Sequence, residues 1–219
     1  VQRGEVIAET QPWIKWFKTQ VTAEIDGTVE SVSPVTGQVM LREAPLPVEV
    51  QAYVDGTVVD VIADEGVVVE TRGAFVQGIF GVGGESYGPL KVLSDDLGQP
   101  LDPARIDAGC AGQVLVVTGL VSHAAITRAQ EVGAAAVIGG GLHDRDLRQL
   151  LGYDLGVAIT GSEAIGLTVV VTEGFGEISM ARRTFDILRD CEGLEASVSG
   201  ATQIRAGVMR PEIIVPEVE

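Results

Sequence analysis

A sequence pattern that occurs twice in the first third of the chain places the strongest constraint on its fold. Residues 26–32 read Asp-Gly-Thr-Val-Glu-Ser-Val, and residues 55–61, 29 positions further along, read Asp-Gly-Thr-Val-Val-Asp-Val. In each copy a later glycine, Gly37 or Gly66, precedes a second apolar stretch. An Asp-Gly pair supplies the backbone conformation of a tight turn, and alternating valines favour a half-buried strand. The repeat therefore predicts two antiparallel hairpins of one design.

The repeat resembles the barrel-sandwich hybrid fold of biotinyl and lipoyl carrier domains. In that fold two similar halves of the form Gly-x-Val-x-x-Val, each followed by a glycine, interlock. The resemblance covers residues 22–93 and implies a pseudo-twofold, antiparallel β module. A carrier domain attaches its cofactor to a lysine in the hairpin that joins the halves, whereas residues 42–50 contain no lysine. The resemblance thus implies the fold of a structural or docking module, without the cofactor.

From residue 113 onward, apolar strands alternate with helices. Strands are predicted at residues 114–117, 135–138, 157–159 and 167–171, and helices at 123–132, 144–151 and 180–191. Ser122 and Ser179 precede helices as N-cap candidates, and glycines follow the helix ends. This alternation predicts a mainly parallel sheet in a three-layer α/β module over residues 113–193. The direction of strand 167–171 stays open, because the short link 161–166 falls below the length that a parallel crossover needs.

The remaining segments are expected to connect or extend the two modules. Residues 1–21 form a lead-in segment that carries an aromatic cluster around Trp13 and Trp16. Residues 94–112, which contain Asp, Gly and Pro, form a linker. Residues 194–219 form C-terminal strands that return to the β module. The predicted fold class is therefore α/β plus all-β.

Small and polar residues follow two neighbouring strands of the predicted sheet. They are Ser122 and His123 after the first strand, and Gly139, Gly140, Gly141 and His143 after the second. Ligands of open α/β sheets bind beyond the carboxyl ends of the strands. Both histidines of the chain fall at this edge, and exposed N–H groups at helix starts favour an anion. We predict a binding site for a small anion or other ligand here; the alternative, that these residues only form turns and helix caps, stays open.

The stretch Ser122-His123-Ala124-Ala125-Ile126, followed by Ala129, Gly133 and Ala136-Val137-Ile138-Gly139, resembles a second family. It is similar to the phosphohistidine segment of the swivelling domain of phosphoenolpyruvate-utilising enzymes. In that family a Ser-His-Ala-Ala stretch presents the histidine that carries the phosphoryl group. The resemblance implies His123 as a catalytic phosphoryl carrier. A predicted helix replaces the strand-rich segment that this family has next.

Charge and composition narrow the function classes. The chain has 15 basic and 31 acidic residues and a net charge of −16, which argues against binding nucleic acid or an anionic membrane surface. Its two cysteines form no metal-binding pattern and are expected to be free thiols of a reducing, cytoplasmic environment. A Walker loop, a complete Rossmann fingerprint and a nucleophile–base pair are all missing from the sequence.

The sequence therefore favours a non-catalytic binding or scaffold protein with no cofactor and no metal. Its expected partner is an unknown protein or a second copy of the chain. Phosphoryl carriage on His123 is the alternative.

Overall fold

The computed structural model describes residues 1–13, 18–94, 96–152, 163, 165–202 and 209–217. The chain folds into two compact units, Val1–Gln51 and Ala52–Glu219. Strands predominate over helices and the main sheet is mixed, so the chain is a mixed α/β protein. Among the described residues, no helix is both long enough and apolar enough to cross a membrane.

The first unit contains two two-stranded antiparallel sheets. Strand β1 (Val6–Glu9) pairs with β2 (Gln20–Thr22), and β3 (Thr28–Val32) pairs with β4 (Val39–Arg42) in the hairpin of the first repeat copy. The lead-in segment thus contains strand β1, which the aromatic cluster did not predict. Residues 14–17 of that cluster lie outside the described part of the chain.

The second repeat copy forms a hairpin of the same design in the second unit. Strand β5 (Thr57–Ile62) pairs antiparallel with β6 (Gly66–Glu70). The pairing register shifts by one residue at the equivalent point of each hairpin, between Val29 and Ser31 and between Val58 and Asp60. Each copy of the repeat therefore forms a hairpin with a register shift at the equivalent position.

The second unit is built on a nine-stranded sheet. Its strands are β7 (Gly73–Gln77), β8 (Phe80–Val82), β9 (Glu85–Val92), β10 (Val114–Val116), β11 (Leu120–Val121), β12 (Ala136–Leu142), β13 (Thr168–Phe175), β14 (Glu195–Ser199) and β15 (Glu212–Pro216). The strand order is β7-β15-β14-β9-β10-β12-β13-β8, with β11 beside β12. Strands β9 to β13 pair parallel, and the other neighbours pair antiparallel. The sheet is therefore mixed rather than mainly parallel, and strand 167–171, seen as β13, runs parallel to β12.

The antiparallel strands of the main sheet come from segments that the sequence predicted to lie outside the α/β module. Strands β7, β8 and β9 fall within residues 22–93, which were predicted to form a separate β module, yet they belong to the main sheet. The C-terminal strands β14 and β15 pair with β9 and β7. The expected linker 94–112 contains 3-10 turns at Pro103–Arg105 and Ala108–Cys110, and it buries Leu101, Ile106 and Cys110 in the core. It is therefore a packed part of the second unit.

Strands β7 and β8 lie at opposite ends of the strand order, although only Gly78 and Ile79 separate them in sequence. The Gly78 N–H donates to the Pro211 carbonyl oxygen at 2.8 Å, on the β15 side. The Ile79 N–H donates to the Val171 carbonyl oxygen at 2.9 Å, on β13. The sheet therefore curls until one continuous segment, residues 73–82, joins its two ends.

In the part of the chain that the structure describes, three α-helices and two apolar clusters cover the parallel strands. The helices are α1 (His123–Val132), α2 (Asp144–Leu151) and α3 (Arg182–Asp190). Residues of α1 and α2 pack in one cluster with Leu115, Val137 and Val169, and residues of α3, β7, β14 and β15 pack in the other with Val116 and Val170. Side chains that alternate along each strand enter the two clusters in turn, because successive residues of a strand point to opposite faces. The parallel strands are thus covered on both faces.

Most of the predicted elements of the α/β part are present, with shifted ends. The helices α1 and α2 have the predicted bounds, whereas α3 begins at Arg182 instead of residue 180 and has Ala181, not Ser179, at its N-cap. Strand β13 extends to Phe175 and β12 extends to Leu142, both beyond the predicted ends. The predicted strand 157–159 lies outside the described residues.

Candidate functional site

Ser122 and His123 stand where strand β11 passes into helix α1. Ser122 has an extended backbone (φ −84°, ψ 159°), and its Oγ accepts a hydrogen bond from the Ala125 N–H at 3.3 Å. This is the N-cap that the sequence predicts, and it makes His123 the first residue of the helix. The His123 side chain is half-buried. The imidazole is therefore held at a helix start with part of its surface open to solvent.

His143 stands immediately before α2, as Ser122 stands immediately before α1. The sheet register brings His143 next to Ser122 and His123. Val121 at the end of β11 is the register partner of Leu142 at the end of β12, and the two strands are parallel. The residues that follow, Ser122 and His143, therefore leave the sheet side by side. The sequence argument that both turns emerge at one edge agrees with this register.

Asp146 ties the two helix starts together. It lies in the first turn of α2, is only 8% exposed, and its Oδ2 accepts a hydrogen bond from the His123 N–H at 3.2 Å. Its Oδ1 lies 3.4 Å from Nε of Arg145. A carboxylate of the protein itself thus satisfies an N–H group at the positive end of α1. Sequence reasoning missed this residue because its partner is backbone from another helix.

The three predicted site glycines belong to strand β12 rather than to a turn. Gly139, Gly140 and Gly141 are buried, and the pairing of β12 with β13 shifts register between the first and the last of them. A Cβ atom on Gly140 would overlap the carbonyl oxygen of Ile178 and lie 2.5 Å from the nitrogen of Met180. The glycines are therefore required by the close approach of neighbouring backbone, and the prediction that they form the turn after the strand is wrong.

The backbone that covers Gly140 and Gly141 is the link between β13 and α3, whereas Gly139 faces the Val121 side chain. Residues 176–180, which we call the strap, cross the carboxyl ends of the parallel strands. In the strap, Oε1 of Glu177 lies 3.6 Å from Nε2 of His143. The Glu177 side chain is 78% exposed and that of His143 is 28% exposed. Because β13 runs parallel to β12, the segment that follows β13 emerges at the same edge of the sheet as His143.

The start of α3 is also occupied by a carboxylate. Oε1 of Glu173, on β13, accepts a hydrogen bond from the Ala181 N–H at 3.0 Å. This carboxylate places a negative charge near the basic pair Arg182 and Arg183 in the first turn of α3.

Taken together, these contacts define a polar edge with two imidazoles and several carboxylates. An imidazole can both donate and accept a hydrogen bond. Among the described residues, no group of three His, Cys, Asp or Glu side chains is arranged to hold a metal ion. The arrangement suits hydrogen bonding to a polar ligand.

Comparison with known proteins gives no family assignment. The chain matches no protein-family model, no curated protein and no solved structure. The fold and the polar edge therefore define a mixed α/β protein with a two-histidine edge, and its function is inferred from the geometry alone.

Proposed function

We propose that this chain is a non-catalytic binding and scaffold protein that takes a small polar ligand at the edge formed by Ser122, His123 and His143. The parallel register of Val121 with Leu142 carries this proposal, because it brings both histidines of the chain to one edge. That edge lies beyond the carboxyl ends of parallel strands, where α/β proteins bind their ligands.

The charges at the edge favour a neutral or cationic ligand over an anion. A phosphate charge about 4 Å from the Asp146 carboxylate would be repelled by roughly 4 kcal/mol at an effective dielectric constant of ~20. The attraction of a helix N-terminus for an anion is about 0.3–1 kcal/mol, and Asp146 already occupies one such N-terminus. Repulsion therefore outweighs the attraction that the helix starts alone would provide.

NMR titration of the two imidazoles tests the ligand site. Ethylammonium serves as the cationic probe and orthophosphate as the anionic one, each added at constant pH and ionic strength. We expect ethylammonium to shift the ring signals of His123 and His143 together. A response to orthophosphate alone would reverse the charge preference, and a lack of response to either probe would overturn the site.

The scaffold part of the proposal rests on the two hairpins. The register pairs Val29 with Leu41 and Val32 with Val39 place four aliphatic side chains on one face of the first hairpin. Val32 is 60% exposed there, and its counterpart Val61 in the second hairpin is 69% exposed. A lone two-stranded hairpin with an uncovered apolar face is marginally stable in water. We propose that such faces are covered in the assembled protein, as the halves of a barrel-sandwich hybrid are.

We propose that a second copy of the chain covers the apolar face of the first hairpin. Sedimentation equilibrium of the full chain should then give twice the chain mass, and Val32→Asp should return the mass to that of one chain. Ser31→Asp, on the opposite face of the same strand, is the matched control and should leave the dimer intact. A wild-type protein that sediments as a single chain would refute this part.

Phosphoryl carriage on His123 is a second candidate, favoured by the half-buried imidazole at the first residue of α1. The carboxylate of Asp146 on the His123 N–H opposes it, because a phosphoryl group would add negative charge beside it. Incubation with phosphoenolpyruvate or ATP, followed by intact mass measurement, decides the question. A mass increase of one phosphoryl group that His123→Gln abolishes would establish carriage, and an unchanged mass would exclude it for these donors.

A further inference from the structure

The strap, residues 176–180, covers Gly140 and Gly141 of β12 by backbone contact. A Cβ on Gly140 would collide with strap atoms of Ile178 and Met180, and one on Gly141 would collide with the carbonyl oxygen of Gly176. The strap thus lies on bare peptide groups with no side chains between the two layers. It also occupies the space beyond the carboxyl ends of β12 and β13, where a ligand of a parallel sheet is expected.

Backbone hydrogen bonds fasten the strap at its two ends. The Gly176 N–H donates to the Leu142 carbonyl oxygen at 2.9 Å, and the Met180 N–H donates to the Thr118 carbonyl oxygen at 2.7 Å. Met180 is 2% exposed and anchors the end next to α3. Between these ends, Glu177 and Ile178 are exposed to solvent. The middle of the strap is therefore held by few contacts.

The other end of the strap has the features of a hinge. Gly174 and Gly176 have φ values of 121° and 111°, a region that residues with a side chain rarely adopt. Rotation at these glycines would lift the strap and break the hydrogen bonds of the Gly176 and Met180 N–H groups, while the Met180 side chain stays buried. Lifting would expose the backbone of Gly140 and Gly141 and little apolar surface. The energetic cost of opening is therefore confined to a few hydrogen bonds.

We propose that the strap is a lid over the inner part of the polar edge, with Gly140 and Gly141 as its floor and the contact of His143 with Glu177 as its latch. This inference rests on the proposed ligand site and adds how access to it is controlled. With the lid closed, the ligand reaches only the outer part of the edge near His123 and His143. With the lid open, the surface of Gly140 and Gly141 becomes accessible to the ligand.

Amide hydrogen exchange of the full chain tests the lid without any ligand. The amides of Gly176 and Met180 report on the strap, and those of Val137 and Ile138 in β12 report on the core. We expect the strap amides to exchange at least tenfold faster than the core amides, through local opening. Exchange of both sets at one common rate would mean that the strap opens only when the unit unfolds, and it would overturn the proposal.

Two variants sharpen the test. Gly140→Ala places a methyl group under the strap and should speed exchange of the strap amides about tenfold or more, whereas Gly66→Ala, at a strand glycine with no neighbour within 4 Å, should not. If Gly140→Ala does not fold, Glu177→Gln decides, because its side chain is exposed. Loss of the exposed contact between Glu177 and His143 should speed strap exchange about two- to fivefold, and an unchanged rate would remove the latch.

The lid and the ligand site can fail separately. Strap exchange is measured in the absence of any probe, whereas the ligand site is judged by the histidine ring shifts with ethylammonium and orthophosphate. A locally opening strap with unresponsive histidines would keep the lid and refute the site. Histidine rings that respond to a probe, together with a strap that does not open locally, would keep the ligand site and refute the lid.

Discussion

The Oδ2 atom of Asp146 lies 3.2 Å from the backbone nitrogen of His123, so a carboxylate from α2 closes the start of α1. Asp146 is itself in the first turn of α2, and its own N–H donates to the His143 carbonyl oxygen at 3.0 Å. One buried side chain therefore fixes the distance between the two histidine-bearing helix starts.

Replacing Asp146 should destabilise the second unit. Asp146→Ala leaves the His123 N–H without its acceptor and should lower the free energy of unfolding by about 1–2 kcal/mol. Asp146→Asn keeps an acceptor oxygen and should cost less. Urea denaturation measures both variants, with Asp190→Asn, whose side chain is 77% exposed, as the control. Equal stability of Asp146→Ala and wild type would show that the contact contributes nothing.

Changing a valine to alanine should lower the free energy of unfolding at buried positions and leave it nearly unchanged at exposed ones. Val137 and Val170 are fully buried, in the two different apolar clusters. Changing either to Ala should cost about 1–3 kcal/mol through lost burial and the cavity left behind. Val48→Ala, at a position that is 87% exposed, should change stability little. Chemical denaturation gives all three values, and a small loss at both buried sites would contradict the assigned sheet.

Cys191 should react slowly with alkylating reagents near neutral pH. Burial, followed by the charge of Asp190, raises the pKa of the Cys191 thiol, so less of the reactive thiolate is present. Asp190→Asn removes a negative charge, lowers this pKa and should speed alkylation by iodoacetamide. Asp186→Asn, earlier on the same helix, is the control and should leave the rate unchanged. Mass spectrometry of the native protein follows the modification at Cys191, because Cys110 is fully buried.

Tyr87 should titrate above the ordinary range of tyrosine. Partial desolvation, followed by the hydrogen bond from its hydroxyl to Oδ2 of Asp55 at 3.0 Å, raises the pKa of Tyr87 above 10.0. Asp55→Asn removes the carboxylate charge that disfavours the phenolate, so the pKa should fall. Ultraviolet absorbance during alkaline titration measures the change, and Tyr87→Phe identifies which transition belongs to this residue. An unchanged transition in Asp55→Asn would show that the hydrogen bond does not control it.

Local signals in the sequence were sufficient for the helices that carry the site. Ser122 before α1 and the left-handed glycines Gly133 and Gly152 after α1 and α2 mark helix ends through backbone chemistry that acts within a few residues. The bounds of both helices were therefore predictable. The start of α3 was not, because Ala181 stands at its N-cap without a capping side chain, and Glu173 on β13 accepts a hydrogen bond from the Ala181 N–H.

Contacts between distant segments explain what the sequence could not predict. Gly139–Gly141 look like turn residues in isolation, and only their pairing with β11 and β13 shows that they lie inside a strand. Strands β7 to β9 look like a continuation of the hairpin repeat, and only their partners β13, β14 and β15 place them in the main sheet. The two histidines were predicted to lie at one edge because the rule for parallel strands needs no knowledge of those partners.

The segment 73–82 that joins the two ends of the main sheet has a consequence for synthesis on the ribosome. In the described part of the chain, β7 pairs only with β15, where Gly73 stands opposite Pro216. Pairing across so long a stretch of sequence is slow, because the entropy of closing the loop must be lost before any contact is gained. The edge of β7 therefore stays unpaired until β15 has been synthesised. Protecting that early segment from aggregation is a demand that this topology places on the cell that makes the protein.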